Sequence, residues 1–444
     1  MAGRHVVARE YEFLVPTDLS RANCHDVGAD SFAALREFVL ANREGDSPLE
    51  LMRLCSPRGI GEAMQLQNYV GVVELRDGLQ VEVLPKIDTA PGSGMGDREV
   101  FAHMLEELGT DVSFRSFDRT GLTTGKAPLF EVFVSMFLDE AADLVRRGIR
   151  SAYVAVESEE KYVRGKIDFS REARKGAARA HMTNLVHDEL LPDRPENRLV
   201  KATILYLRRN SRDNGNVRRV IQLLPAFEGV GRCANVDDDL ARCVDDRSTR
   251  AYGTLIAWCR VFLRGESFTM FKGESVATAL LFPMEKVFED YVGRLLKRRA
   301  LRDPLVDRVE LQATGQWLFE DRRVSLRPDI LCRCANGRRV VLDTKWKRVN
   351  GPRDLSVADM HQMYAYGQRY RADSESMQHV VLIYPWHEGV DPGLMPEGRH
   401  VSSDGVQVDM FFFDLSNAAG SVSALLETIQ RLCTVDSSMI KSRG

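Results

Sequence analysis

Several things this 444-residue chain lacks narrow its function before any motif does. No apolar run approaches the roughly 20 residues needed to cross a bilayer. A leader with a basic start, apolar middle and small-residue cleavage site is also missing, so the expected compartment is the cytoplasm and no membrane partner is expected. Eight cysteines are scattered without one C-x-x-C pair. Cys332 and Cys334 share a strand face, too few for a zinc site, and are expected in the core. Positive charge is not in excess: the formal net charge is −3, which excludes a uniformly basic nucleic-acid coat. There is no internal repeat and no low-complexity tract. A phosphate loop is missing too. The stretch Gly121 to Ala127 (GLTTGKA) has three residues between its glycines where that loop needs four, and Ala where it needs Ser or Thr. The chain is therefore not expected to hydrolyse nucleotides by itself.

What is present looks globular, with 44% hydrophobic and 28% charged residues, and is long enough for two or three domains. His5 to Leu14 predicts a strand, and Ser31 to Ala41 a short helix with Phe32, Leu35 and Val39 inward. In the run from Asn68 to Ile87 (NYVGVVELRDGLQVEVLPKI), alternating valines flank Asp77-Gly78, the signal of a hairpin. Ala90 to Asp97 is a loop of small residues. Pro128 to Arg147, Arg194 to Arg209 and Ser248 to Leu263 have helical periodicity, and Ala152 to Asp168 reads as two strands. The expected fold is mixed α/β in three consecutive parts. These are an N-terminal α/β unit over 1–112, a mainly helical middle over 113–270, and a C-terminal α/β domain over 271–444 whose mixed sheet is flanked by helices.

The chemistry concentrates between Ser325 and Lys347 (SLRPDILCRCANGRRVVLDTKWK), which reads as two strands and a tight turn. Side chains alternate along a strand, so Asp343 and Lys345 point the same way. Whether Asp329 joins them depends on the turn, since a one-residue slip reverses the face. A two-residue Asn336-Gly337 turn would set Asp329 opposite Thr344. A three-residue loop, Ala335-Asn336-Gly337 with Gly337 left-handed, instead pairs Asp329 with Asp343 and gathers Ile330, Cys332, Val340 and Leu342 on one apolar face; this second register is preferred. Two carboxylates are hard oxygen ligands suited to Mg²⁺, and a neighbouring lysine can orient a water or offset developing charge in phosphodiester hydrolysis. From Arg294 through Arg353, sixteen Lys or Arg stand against seven Asp or Glu, a local excess suited to a DNA backbone.

The flanks extend the pattern. Pro283 to Leu296 predicts a helix carrying Glu289. Val357 to Tyr370 predicts another, with Gln362 and Tyr366 four apart on one face and His361 turned away. His379 to Trp386 predicts a buried parallel strand. P-D followed by D-x-K, with these helices and strand, resembles the PD-(D/E)xK nuclease superfamily, and Q-x-x-x-Y its RecB-like branch. The runs YVGVVELRDGLQVEVLPKI, VRGKIDF and PDRPENRLVKATILYL, followed by FEDYV, RPDI, LDTKWK and QMYAY, resemble in this order the McrC family, the nuclease subunit of a modified-cytosine-dependent restriction system. The resemblance spans about Tyr69 to Trp386.

The resemblance implies a Mg²⁺-dependent endonuclease of double-stranded DNA. It would bind a separate AAA+ GTPase, McrB, through its N-terminal portion, stimulate that motor's GTP hydrolysis and cut when the motor has translocated. Asp329 and Asp343 would bind Mg²⁺ with the Thr344 carbonyl as a further ligand. Lys345 would position the attacking water, and Glu289, Gln362 and Tyr366 would support metal or phosphate. Two rival readings are a standalone RecB-like repair nuclease and a non-catalytic activator of an AAA+ motor.

Overall fold

The valine-rich hairpin forms where its turn sequence asks for it. In the computed structural model, which describes residues 4–41, 52–87, 96–108, 128–176, 179–243, 252–264, 276–371 and 378–434, Gly78 takes φ +86°, the left-handed geometry that glycine adopts without cost. Strands β1 (His5–Arg9), β2 (Tyr69–Leu75), β3 (Gln80–Leu84) and β4 (Val276–Pro283) make one sheet in the order β1-β3-β2-β4. The pair β2–β3 is the hairpin, β1 runs parallel to β3, and β4 runs antiparallel to β2. Gly71 faces Leu281 in that last pairing, and a Cβ there would lie 1.9 Å from the Leu280 carbonyl oxygen. The strands Phe13–Val15, Cys24–Asp26, Met52–Cys55 and Ala63–Leu66 form a second small sheet. The strand expected from His5 to Leu14 is broken by a turn in which the Glu12 N–H donates to the Arg9 carbonyl at 3.1 Å.

The expected division into three consecutive parts is corrected here. Residues 1–127 and 272–444 form one compact unit, and 128–271 form the other. The reason is β4, which lies just beyond the expected boundary at 271 yet completes the N-terminal sheet; pairing across about two hundred residues leaves no local signal.

The second unit is helical where the periodicity predicts it, over Leu129–Arg147, Pro195–Asn210 and Gly253–Arg264. It also holds a three-stranded sheet in which Thr183–Leu191 lies between Ala152–Glu160 and Lys166–Ile167. Asn197 of the PENRL run is fully buried and satisfied. Its Nδ2 donates to the carbonyls of Arg150 and Pro192, and its Oδ1 accepts from the Tyr252 hydroxyl at 2.7 Å.

In the first unit β4 leads into helix α1 (Met284–Ala300) and then a six-stranded mixed sheet. Its strands are β5 (Val306–Leu311), β6 (Ile330–Cys334), β7 (Arg339–Thr344), β8 (Gln378–Pro385), β9 (Gly393–Val401) and β10 (Val406–Phe413), ordered β5-β6-β7-β8-β10-β9. Helix α2 (Val357–Tyr370) packs Met363, Tyr366 and Tyr370 on the face made by Leu331, Val341, Val380, Leu382 and Phe412. On the other face α1 sets Phe288 and Tyr291 edge-on to Phe413, and α3 (Ala418–Thr434) lies beside it. Ile330, Cys332, Val340 and Leu342 are all buried there. The mixed α/β architecture is the one expected, with a C-terminal sheet flanked by helices; strands β9 and β10 and helix α3 extend it.

Cys334 is buried as expected, but it forms a disulfide with Cys433 of α3, 99 residues away. A pairing at that distance has no signature in cysteine spacing. No helix among the described residues is long and apolar enough to cross a membrane. Of the loop expected from Ala90 to Asp97, residues 90–95 lie outside the described residues and Asp97 already opens the helix Asp97–Leu108; the GLTTGKA stretch and the expected boundary at Phe271 to Glu274 also lie outside them.

Candidate active site

The hairpin takes the three-residue loop. Ile330 pairs with Leu342, Cys332 with Val340 and Arg333 with Arg339, so continuing the register sets Asp329 opposite Asp343. Gly337 has φ +86° and donates its N–H to the Cys334 carbonyl at 2.9 Å, as the bulged loop requires. The ladder ends at Ile330. Beyond it the Thr344 N–H has no carbonyl opposite and is taken up by the Asp329 carboxylate: Oδ2 accepts from that N–H at 2.8 Å and from the Thr344 hydroxyl at 2.7 Å.

Asp343 is only 2% exposed and meets the Lys345 ammonium at 2.7 Å. That contact lies off the line a hydrogen bond needs, so Oδ2 of Asp343 is a buried acceptor without an aligned donor among the described residues. Burial, and then the neighbouring Asp329 charge, push the Asp343 carboxyl up to about 7. Burial works against the Lys345 ammonium, but Asp343 and Asp329 outweigh it and raise its pKa, so the lysine stays charged. From α2, Gln362 accepts from the Lys345 ammonium at 3.0 Å and donates to the Tyr366 hydroxyl at 3.0 Å, which in turn donates to the Arg327 carbonyl. Glu289 comes from α1, held by Lys286 at 2.7 Å, with its pKa raised by burial and then by Asp329.

All seven residues singled out from the sequence, Glu289, Asp329, Asp343, Thr344, Lys345, Gln362 and Tyr366, line one cavity of about 480 Å³. His361 is exposed and not among the lining residues. Other lining residues were not foreseen. Arg327 and Lys347 sit in the RPD and DTKWK runs, where a basic residue beside the acids was a usable signal; Lys347 is ion-paired with Asp359 of α2. Gln312 is not itself a lining residue and is not recognisable from spacing; its Nε2 donates to Glu289 and also reaches Asp329 at 3.4 Å, bridging the two acids. Tyr11 and Glu285 reach the cavity from the N-terminal strands and the first turn of α1.

The donor set suits a hard divalent cation. Asp329 and Asp343 offer carboxylate oxygens, one of them buried and lacking an aligned donor, and the Thr344 carbonyl follows Asp343 directly in sequence. Among the described residues no three His, Cys, Asp or Glu side chains converge on one point. A cation held here would draw on two carboxylates, a main-chain oxygen, water and substrate, a shell usual for Mg²⁺.

The family model for the McrBC 5-methylcytosine restriction system component matches residues 64–385. A chain of the Thermococcus gammatolerans assembly of McrB AAA+ hexamers with bound McrC superposes with a TM-score of 0.67 at 18% identity, covering 96% of this chain and 100% of that one. A chain of the Thermococcus gammatolerans McrBC complex gives 0.47 at 19% identity, over 67% and 88% of the two chains. No curated protein matches the sequence.

Proposed function

The chain belongs to the family of McrBC 5-methylcytosine restriction system components, as a McrC-like member, and from that premise we propose that it is the subunit that cuts double-stranded DNA by Mg²⁺-dependent phosphodiester hydrolysis. It does so in the cytoplasm, bound to a McrB-like AAA+ GTPase that it stimulates. The observation that carries this reading is the meeting of Asp329, Asp343 and Lys345, from two strands, with Glu289, Gln362 and Tyr366, from two helices, in one cavity.

Asp329, Asp343 and the Thr344 carbonyl would hold the ion. When bound, Mg²⁺ supplies positive charge at the scissile phosphate and acidifies a water. The chain's own groups do the rest. Thr344 fixes the Asp329 carboxylate with two hydrogen bonds to one oxygen, leaving Oδ1 to accept from Gln312 Nε2. Lys345, kept charged by its acids and steadied by Gln362, orients the attacking water and offsets the charge that builds on the phosphate. Gln362 in turn is steadied by Tyr366, whose hydroxyl is tied to the Arg327 carbonyl. Arg327 and Lys347 present cations to the neighbouring phosphates.

The test is Asp343→Ala in the complex with the motor. DNA cleavage is expected to vanish while partner binding and GTPase stimulation persist; cleavage that survived would refute the assignment. Cleavage by the wild-type chain with Mg²⁺ alone, without motor or GTP, would instead favour a self-sufficient nuclease.

A further inference from the structure

Among the described residues four non-glycine positions have positive φ, and two of them, Tyr11 (φ +68°) and Gln312 (φ +51°), stand at the candidate site. For a bulky aromatic this conformation is unfavourable, and such positions gather where function holds them. Tyr11 is the third residue of the turn closed by the Glu12 N–H on the Arg9 carbonyl, a place where glycine or asparagine would sit without strain.

The surroundings fix the backbone of Tyr11. Its N–H donates to the Leu66 carbonyl at 3.1 Å, and its carbonyl accepts from Gln65 Nε2. The preceding Glu10 is fully buried, and its carboxylate accepts from the Lys86 N–H at 2.9 Å and from the Trp346 indole N–H at 3.0 Å. Trp346 follows Lys345 directly, so the turn is pinned to the strand that carries the site lysine. Tyr11 is nevertheless 39% exposed, and among the described residues its hydroxyl makes no hydrogen bond. A tyrosine kept for packing would be covered; this one is held in a strained turn and lines the cavity with Asp329, Asp343 and Lys345.

We propose that Tyr11 is a substrate-contact residue whose ring packs against the base and deoxyribose of a nucleotide next to the scissile phosphate, so that the N-terminal segment completes the DNA surface of the site. This rests on reading the cavity as a DNA-cleaving centre. In a duplex the ring reaches a base by wedging into a step and partly unstacking it; every base has such a face, so the contact adds hold on the strand without choosing its sequence.

The test uses the full chain with its AAA+ partner, GTP, Mg²⁺ and a cleavable duplex. Tyr11→Ala and Tyr11→Gly are each expected to lower the cleavage rate about tenfold, with Tyr11→Phe within about threefold of wild type and GTPase stimulation unchanged in all three. Tyr11→Gly relaxes the turn, so its melting temperature is expected to equal or exceed that of wild type. Unaltered cleavage by the Ala and Gly variants would overturn the proposal. So would a loss in Tyr11→Phe equal to that in Tyr11→Ala, or a loss in Tyr11→Gly matched by a fall in melting temperature. Asp343→Ala in the same assay keeps the two ideas apart: if it cuts like wild type, or wild type does not cut, the reading of the site itself fails and the contact falls with it.

Discussion

Thr344 holds Asp329 by two hydrogen bonds to a single carboxylate oxygen, at 2.8 Å from its N–H and 2.7 Å from its hydroxyl. The two residues come from opposite arms of the hairpin, so their union fixes where the other oxygen of Asp329 points. Replacing Thr344 by valine keeps the shape and the N–H but deletes the hydroxyl. A hydrogen bond to a charged group is worth about 1.5–3 kcal/mol. Thr344→Val is therefore expected to slow DNA cleavage by about tenfold or more with GTPase stimulation intact, measured in single-turnover assays with the motor. Wild-type rates would show that the hydroxyl is dispensable for aligning Asp329.

On the proposed reading, Asp343 makes cation binding depend on pH. Its carboxyl is pushed up to about 7 by burial and by Asp329, and a protonated carboxyl must ionise to become a ligand. Titration calorimetry with Mg²⁺ in buffers of different ionisation enthalpy is expected to show proton release below about pH 7 and affinity rising through that range. In Asp343→Asn the proton release should disappear. Equal release from wild type and this variant would move the linkage to another group.

How much of this was legible in the sequence follows from how local each signal was. Gly337 and the alternation of apolar residues settled the hairpin register, and Gln362 and Tyr366 lie one helical turn apart; both are short-range facts. Glu289, one helix upstream, was placed by resemblance to a known motif rather than by geometry. Gln312 could not be found that way, because its side chain joins Glu289 and Asp329 only once β5 and β6 have paired. The partner of Cys334 and the pairing of β4 with β2 were hidden for the same reason. Each depends on segments about a hundred or more residues apart.

The β2–β4 pairing tolerates no side chain at Gly71, which has φ +143° and lies against the Leu280 main chain. Backbone cannot swing aside as a side-chain tip does. Gly71→Ala is expected to destabilise the protein by about 3 kcal/mol or more, and to lower both DNA cleavage and GTPase stimulation. Thermal melting of wild type and variant checks this; an unchanged melting temperature would mean that the two strands separate there at no cost.

Glu10 gives stability its own pH dependence. Burial, opposed by hydrogen bonds from Lys86 and Trp346, raises its pKa from an ordinary 4.5 to about 7. The folded protein thus holds this proton more tightly than the unfolded chain does. The resulting stability is full below about pH 4.5 and is lost as pH rises through about 7, a change of about 3 kcal/mol at most. Glu10→Gln cannot ionise. The melting temperature of wild type relative to this variant is expected to fall between pH 5 and pH 8, and a constant difference would show that Glu10 is charged throughout.

The strand that completes the N-terminal sheet, Val276–Pro283, leaves the ribosome only after the whole helical unit has been made. The hairpin of Tyr69–Leu84 must therefore wait with one edge open through some two hundred residues of synthesis, while the intervening unit, contiguous in sequence, is free to fold first. A nascent or truncated chain consequently has neither a closed sheet nor the gathered acids of the candidate site.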